Sequence, residues 1–196
     1  MTKIKMCGLR RKEDIEYANM LLPEYIGYVF AKKSRRFIAP EKAAELTKLL
    51  LPEITPVGVF VDEPIENVIA LAESGVIKMA QLHGNESEDY AAELRRHGIP
   101  VIRAFRVSSE ADIAEAKSSC ADYILLDSGS GSGETFDWSL IDEVNRDFFL
   151  AGGLTADNAA EAVRRLHPYA VDASSCLETD GFKDFAKMKA FAEAVR

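Results

Sequence analysis

The sequence has few of the residues and runs that mark membrane, secreted or zinc-binding proteins. Its only cysteines are Cys7, Cys120 and Cys176, an odd and scattered set that argues against a disulfide framework and suits a reducing compartment. No apolar run approaches the roughly 20 residues of a bilayer-spanning helix. The first five residues, MTKIK, become polar too soon for a signal peptide. We therefore expect a cytoplasmic protein without a membrane partner.

The chain also has fewer positively than negatively charged residues. Lysine and arginine number 24 against 32 aspartates and glutamates, which gives a net charge of −8 and a sequence pI near 5.0. Such a chain is repelled by nucleic acid, so we expect no nucleic-acid partner. The three histidines, His83, His97 and His167, are not spaced as metal ligands, and no metal site is predicted. The expected partner is a small molecule, and the pattern indicates no particular oligomeric state.

The chain is predicted to form one domain over residues 1–196. Apolar residues make up 47% of it, and no Pro/Ser/Gly linker divides it. Short apolar runs recur at even intervals, and most are continuous rather than alternating. That pattern is typical of parallel strands covered on both faces. The predicted strands are 3–7, 25–30, 56–61, 77–82, 100–105, 123–126, 148–151 and 170–173.

The segments between these strands have the patterns of helices. Pro40 stands where a first helical residue is expected. Thr155 can cap a helix that Pro168 ends. The final segment, 185–195, repeats apolar residues every three or four positions. Eight strands that alternate with helices predict an α/β fold, a parallel (β/α)8 TIM barrel. A doubly wound open sheet is the alternative, because counting strands does not exclude it.

The residues at the predicted strand ends are those that could carry chemistry, since barrel active sites lie at the C-terminal ends of the strands. A thiol and carboxylates stand there, at Cys7, Asp127 and Asp172. Pairs of small residues follow strands seven and eight, where barrels often hold phosphate, namely Gly152, Gly153, Ser174 and Ser175. Taken singly, each has a structural alternative as a buried small residue, a helix cap or an ordinary turn.

Seven short motifs resemble, in order, those of the phosphoribosylanthranilate isomerase family. They are Met6-Cys7-Gly8, KSRR at 33–36, QLHG at 81–84, LLDS at 125–128, TFDW at 135–138, GGL at 152–154 and VDASS at 171–175. No single motif is decisive, but their common order from Lys5 to Lys183 is specific. The resemblance implies a cofactor-free enzyme of tryptophan biosynthesis. Its reaction would be the Amadori rearrangement of N-(5-phosphoribosyl)anthranilate to 1-(2-carboxyphenylamino)-1-deoxyribulose 5-phosphate, an aldose–ketose isomerisation classed with the intramolecular oxidoreductases.

The rearrangement needs one general acid and one general base. Asp127 is the predicted acid, provided that partial burial raises its pKa. Cys7 is the predicted base, and a free thiol with a pKa of about 8.5 needs only a modest fall to serve as thiolate. The resemblance assigns the same two roles and places Arg36 on the anthranilate carboxylate. His83 and Asp172 are further candidates for substrate contact, although His83 could simply finish its strand through a backbone hydrogen bond.

Three other features are open to more than one interpretation. The basic run 32–36 either steers an anionic substrate or is a solvated loop. The Ser128 to Gly133 segment matches neither a Walker A loop nor a dinucleotide fingerprint, and we expect a flexible loop over the site. Cys176 stands where the family usually has glycine. If its φ is positive, Cys176→Gly should relieve strain and tighten phosphate binding; otherwise Cys176 packs as a small hydrophobe.

Three rival functions compete with this hypothesis, two of them enzymatic. The isomerase of histidine biosynthesis performs the same rearrangement but resembles a two-aspartate design, whereas strand one here ends in Cys7. Indole-glycerol-phosphate synthase needs lysine and glutamate at strand ends where this chain lacks them. The non-enzymatic rival is a barrel that keeps a phosphate site without catalysis, against which Cys7, Asp127 and Arg36 argue.

Overall fold

The computed structural model describes residues 1–127, 138–141 and 144–196. Eight parallel strands pair in sequence order, and β8 returns to pair with β1, so the sheet is a closed barrel. The predicted (β/α)8 barrel is confirmed, and the open sheet is wrong. The strands are β1 Lys3–Cys7, β2 Tyr25–Val29, β3 Thr55–Phe60, β4 Met79–Leu82, β5 Val101–Arg106, β6 Tyr123–Asp127, β7 Phe148–Ala151 and β8 Ala170–Ala173.

Helices surround the barrel, and those predicted to begin at Pro40, after Thr155 and at Phe185 do so. Pro40 is the first residue of its helix, and the Thr155 hydroxyl accepts a hydrogen bond from the Asp157 backbone N–H. The helices are α1 Lys12–Leu21, α2 Pro40–Thr47, α3 Ile65–Glu73, α4 Glu88–Arg96, α5 Glu110–Ser118, α6 Ala156–Leu166 and α7 Phe185–Val195. Short 3₁₀ helices lie at Trp138–Ile141 and Ser175–Leu177. Every helix in the described ranges is too short or too polar to cross a membrane.

Strand β1 shows how the alternation of side chains builds two cores. Ile4 and Met6 are fully buried in the large cluster between the barrel and its helices. Lys5 and Cys7 point into the barrel, where Lys5 bonds Asp172 of the neighbouring strand β8 and Cys7 lines a cavity at the barrel mouth. A period of two along a strand therefore places apolar residues outside and functional groups inside.

The N-terminal end of the barrel is filled by a tyrosine cluster. Lys3 donates a hydrogen bond to the Tyr169 hydroxyl at 2.6 Å, and the Tyr25 and Tyr123 hydroxyls lie 2.9 and 3.2 Å from the same oxygen. Phe149 packs against all three rings. The interior is thus packed at this end, and the cavity lies at the other.

A two-stranded hairpin follows β8 and brings two charged residues back toward the barrel mouth. Its strands are β9 Glu178–Thr179 and β10 Phe182–Lys183, paired antiparallel. The guanidinium groups of Arg10 and Arg11 lie over the Phe182 ring at 4.8 and 4.6 Å. Arg11 also donates to the Lys183 carbonyl. These contacts fix the hairpin to the segment that follows β1.

Candidate active site

A cavity of about 610 Å³ opens at the C-terminal ends of the strands. Strand ends from around the whole barrel line it, as expected for the mouth of a closed barrel. All nine predicted site residues are among the lining residues: Cys7, Arg36, His83, Asp127, Gly152, Gly153, Asp172, Ser174 and Ser175. The structure therefore brings together every residue that the sequence selected, although their roles stay predictions.

Cys7 lies at the end of β1 with 8% of its surface exposed. Burial raises the pKa of its thiol, although the positive charges of Lys5 and Lys183 act in the opposite direction. The free protein therefore does not show the modest fall in thiol pKa that the sequence analysis expected. Closure of the barrel removes water from the sulfur, and this desolvation outweighs the neighbouring charges.

Below Cys7, Lys5 and Asp172 form a buried ion pair. The Lys5 Nζ lies 2.8 Å from Asp172 Oδ2, and the Lys5 side chain is 0% exposed. Burial lowers the pKa of Lys5, but attraction to Asp172 and Cys7 outweighs it and leaves that pKa raised. Within the described part of the chain, the buried Asp172 Oδ1 has no hydrogen-bond partner. Asp172 lines the cavity, and its Oδ2 accepts the hydrogen bond from Lys5.

His83 connects Gln81 with Asp127. Its Nδ1 lies 3.1 Å from Gln81 Nε2, and its Nε2 lies 3.6 Å from Asp127 Oδ2. The His83 backbone N–H also donates to the Phe60 carbonyl at 2.9 Å. Both interpretations of His83 therefore apply, since its backbone extends the strand pairing and its ring lines the cavity beside the candidate acid.

Arg36 reaches the cavity from the loop after β2 and is held by Glu178. Its Nε and Nη2 donate to the two Glu178 carboxylate oxygens at 2.6 and 2.9 Å. On the opposite side, an added Cβ at Gly8 would lie 2.5 Å from Arg36 Cδ, so the arginine stem lies directly over this glycine. The rest of the basic run is exposed at Lys32, Lys33 and Arg35, which do not line the cavity.

The two candidate phosphate turns have different backbone geometry. Gly152 and Gly153 have φ of +86° and +65°, which glycine adopts without strain. Ser174 and Ser175 lead into the 3₁₀ helix after β8, and the Ser174 hydroxyl donates to the Cys7 carbonyl at 3.0 Å. The second turn is therefore tied directly to the segment that carries the candidate base.

Cys176 adopts an ordinary backbone conformation in this 3₁₀ helix and is not among the residues with positive φ. Its side chain is partly buried against the main core, and burial raises the pKa of its thiol to about 11. Cys176→Gly would therefore relieve no backbone strain, so that prediction is wrong, and Cys176 packs as a small hydrophobe. The predicted loop Ser128 to Gly133 and most of the TFDW motif lie outside the described residues.

Sequence reasoning missed four residues that hold the site together: Lys5, Gly27, Glu178 and Lys183. The sequence could have indicated Lys5, because a lysine in a strand predicted to be covered on both faces needs a charged partner. It could not have indicated Glu178 and Lys183, because their contacts depend on how the hairpin folds back. Among the residues that the structure describes, no cluster of His, Cys, Asp and Glu could hold a metal ion.

Gly27 on β2 leaves the space that the Cys7 thiol occupies. A Cβ added at residue 27 would lie 2.6 Å from Cys7 Sγ, closer than real Cβ contacts. We expect Gly27→Ala to rotate the thiol out of place and lower kcat at least about tenfold, because small displacements of a reacting group are costly. Steady-state kinetics and the rate of Cys7 alkylation, with thermal unfolding as the check on folding, would test this. Unchanged kinetics in a folded variant would show that the thiol position tolerates the methyl group.

Comparison with known proteins agrees with this geometry. A model of the family described as N-(5'phosphoribosyl)anthranilate (PRA) isomerase matches residues 4–194. The N-(5'-phosphoribosyl)anthranilate isomerase of Thermoanaerobacter sp. is 46% identical and covers 100% of this chain and 98% of its own length. That of Streptococcus mutans is 39% identical and covers 100% of both chains.

Solved structures show the same likeness. The phosphoribosyl anthranilate isomerase of Thermotoga maritima has a TM-score of 0.92 and 36% identity, covering 100% of this chain and 98% of its own. A phosphoribosyl anthranilate isomerase in complex with reduced 1-(o-carboxyphenylamino)-1-deoxyribulose 5-phosphate has a TM-score of 0.90 and 35% identity, with the same coverage. Family model, full-length relatives and fold all agree, and the chain belongs to the N-(5'-phosphoribosyl)anthranilate isomerase family.

Proposed function

We propose that this chain catalyses the Amadori rearrangement of N-(5'-phosphoribosyl)anthranilate to 1-(2-carboxyphenylamino)-1-deoxyribulose 5-phosphate, with Cys7 as general base and Asp127 as general acid. The observation that carries the proposal is the shared cavity. It places a thiol, a carboxylate, a guanidinium and two small-residue turns at one barrel mouth, and these are the groups that a phosphorylated, carboxylated sugar derivative requires.

The first step opens the sugar ring. Asp127, at the end of β6, delivers a proton to the furanose ring oxygen, while the anilino nitrogen lone pair forms a C=N bond to C1 as the C1–O bond breaks. Asp127 suits this task because its side chain is 25% exposed at the cavity wall and can reach a bound ligand. The ring of His83 beside it can orient the carboxyl group.

The second step moves a proton from C2. The Cys7 thiolate removes this proton, and the electron pair shifts through C1 to the nitrogen to give an enolamine. Tautomerisation of the enolamine, with protonation at C1, gives the C2 ketone. In total C2 is oxidised and C1 is reduced within one molecule, so the reaction is an intramolecular oxidoreduction and needs no external electron acceptor.

The two ends of the substrate have matching partners. The phosphate fits the turns at Gly152-Gly153 and Ser174-Ser175, where small residues allow close backbone approach. The anthranilate carboxylate fits Arg36, whose planar guanidinium suits two oxygens. His83 and Asp172 complete the wall between these ends.

We expect Arg36→Met to raise KM more than it lowers kcat, because Arg36 holds a carboxylate that is remote from both proton transfers. The pH profile should keep its shape. Arg35→Met is the matched control, since Arg35 is 70% exposed and does not line the cavity. An unchanged KM in Arg36→Met would mean that another group holds the carboxylate, and the same KM increase in both variants would indicate a general effect of charge.

Loss of anthranilate fluorescence on mixing N-(5'-phosphoribosyl)anthranilate with the protein tests the function directly. An isomerase should quench the signal catalytically at sub-stoichiometric protein. A barrel that binds phosphate without catalysis would give no turnover, and this result would contradict the proposal. A parallel assay with the corresponding histidine-pathway aminoaldose separates the rival isomerase.

A further inference from the structure

The carboxylate of Glu178 lies outside the cavity but holds Arg36, which lines it. It accepts two hydrogen bonds from Arg36 and one from Lys183 Nζ at 2.8 Å, and Arg35 lies 3.9 Å away. Its side chain is 6% exposed, and that of Lys183 is 1% exposed. Buried charges of this kind need partners, and here Arg36 comes from the loop after β2 and Lys183 from the neighbouring strand β10.

The way in which Glu178 binds Arg36 leaves one edge of the guanidinium available. A guanidinium carries five N–H donors in a fixed plane. Glu178 occupies the side edge, formed by Nε and one hydrogen of Nη2. The end edge, formed by Nη1 and the second hydrogen of Nη2, can still donate two hydrogen bonds to a carboxylate in the same bidentate manner. The Arg36 stem uses the space that Gly8 leaves open, since a Cβ at residue 8 would lie 2.5 Å from Arg36 Cδ.

Lys183 extends the network to the other end of the site. Besides Glu178, it donates to the Ser174 carbonyl at 2.9 Å, and the Ser174 hydroxyl donates to the Cys7 carbonyl. The buried Glu178–Lys183 ion pair on the hairpin therefore connects Arg36 with Ser174, and through the Ser174 hydroxyl with Cys7. Two of the three hydrogen bonds that the Glu178 carboxylate accepts come from Arg36, so a change at Glu178 should act first on this arginine.

We propose that Glu178 is a positioning residue that fixes the Arg36 guanidinium with its end edge toward the cavity, so that this edge receives the carboxylate of the substrate. The inference rests on the proposed function, because it assumes a carboxylated substrate. Glu178 does not touch the substrate and acts only through Arg36. It is not a competitor for Arg36, because the side and end edges can be occupied together.

The charge of Glu178 is constant over the working pH range. Burial raises the pKa of this carboxyl, but the hydrogen bonds and charges of Arg36 and Lys183 outweigh that effect and lower the pKa to about 2. The contribution of Glu178 to ligand binding should therefore not vary with pH near neutrality, which distinguishes it from the contributions of the proton-transfer residues.

The test measures the binding of two ligands to Glu178→Gln by calorimetry: the reduced product analogue, which carries a carboxylate, and its anilino counterpart, which does not. Loss of the charged hydrogen bonds should weaken binding of the carboxylated analogue about tenfold and raise KM similarly, a size typical of coupled charged neighbours. The kcat should change little, and binding of the anilino analogue should not change. In an Arg36→Met background, Glu178→Gln should have no further effect. Lys33→Met is the control, because Lys33 is an exposed member of the same basic run and does not line the cavity.

Several outcomes would overturn the inference. Tighter binding of the carboxylated analogue would show that Glu178 competes for Arg36, and equal weakening of both analogues would show a merely structural role. Additive effects in the double variant would separate Glu178 from Arg36. If Glu178→Gln does not fold, Glu178→Asp keeps the charge but shortens the reach, and it should weaken the carboxylated analogue in the same selective way. If the wild-type protein itself binds neither analogue, the proposed function fails rather than the role of Glu178.

Discussion

Cys7→Ala and Asp127→Asn should each lower kcat by about 10²–10⁴-fold, the range that one positioned proton-transfer group contributes. Each variant should keep the wild-type fold. The alanine fills less space at a site lined by Val29 and Val59, and asparagine has the shape of aspartate. The fluorescence assay gives the rates, and circular dichroism with thermal unfolding gives the check on folding.

Cys120→Ala is the matched control for the thiol. Cys120 is partly buried, lies before β6 and does not line the cavity, so its removal should leave kcat near the wild-type value. A kcat for Cys7→Ala within a few-fold of wild type would contradict the role of general base. The same result for Asp127→Asn would transfer the acid role to a neighbour, with His83 the first to test because its ring lies beside that carboxyl group.

The raised pKa of Cys7 adds a pH signature to this expectation. A base must be deprotonated to act, and burial raises the pKa of this thiol in the free protein. The kcat/KM of the wild-type protein should therefore rise with pH through the range above neutrality, because it reports the free enzyme. Alkylation of Cys7 by iodoacetamide should follow the same curve, since the thiolate is the reactive form.

The strands and most of the site could be predicted because they depend on local patterns. A continuous apolar run followed by a turn is visible in the sequence, and in a closed parallel barrel every such run ends at the same rim. Cys7, Asp127 and Asp172 were found in this way. Strand four begins at Met79 instead of residue 77, because the backbone N–H of Ile77 bonds the Leu71 carbonyl at the end of α3.

The partners of the supporting residues could not be predicted, even for Lys5, because these pairs join distant parts of the chain. Glu178 meets Arg36 across 142 positions, and Lys5 meets Asp172 across 167. No periodicity or spacing marks such pairs. The same holds for the thiol pKa, since a cysteine at a strand end is exposed or desolvated according to the strands beside it. The backbone conformation of Cys176 likewise depends on the 3₁₀ helix that contains it. The glycine that the family usually has at this position does not predict that helix.

The second large effect is expected at the buried ion pair, where Lys5→Met should destabilise the protein by about 3–5 kcal/mol because it leaves the Asp172 carboxylate buried without its partner. The matched control is Lys12→Met, since Lys12 pairs with Glu16 on the surface at 3.4 Å with both side chains at least half exposed. That variant should lose no more than about 1 kcal/mol. Denaturant unfolding measures both.

The loss of stability in Lys5→Met should also grow with pH, because it depends on the protonation of Asp172. Burial raises the pKa of this carboxyl, and without Lys5 nothing nearby offsets that effect as strongly. The folded variant then keeps a proton that the unfolded chain, with a carboxyl pKa of about 3.9, releases. A raised folded-state pKa stabilises the protein at low pH, and this stabilisation is lost as pH rises, so the loss of stability should be larger at pH 8 than at pH 5.

The double variant Lys5→Met/Asp172→Asn carries no charge at the pair, and its loss of stability should be smaller and independent of pH. An equal loss of stability in Lys5→Met at the two pH values would show that Asp172 finds another partner or reaches water. The buried Lys5–Asp172 pair would then not be required for stability in the way that its geometry indicates.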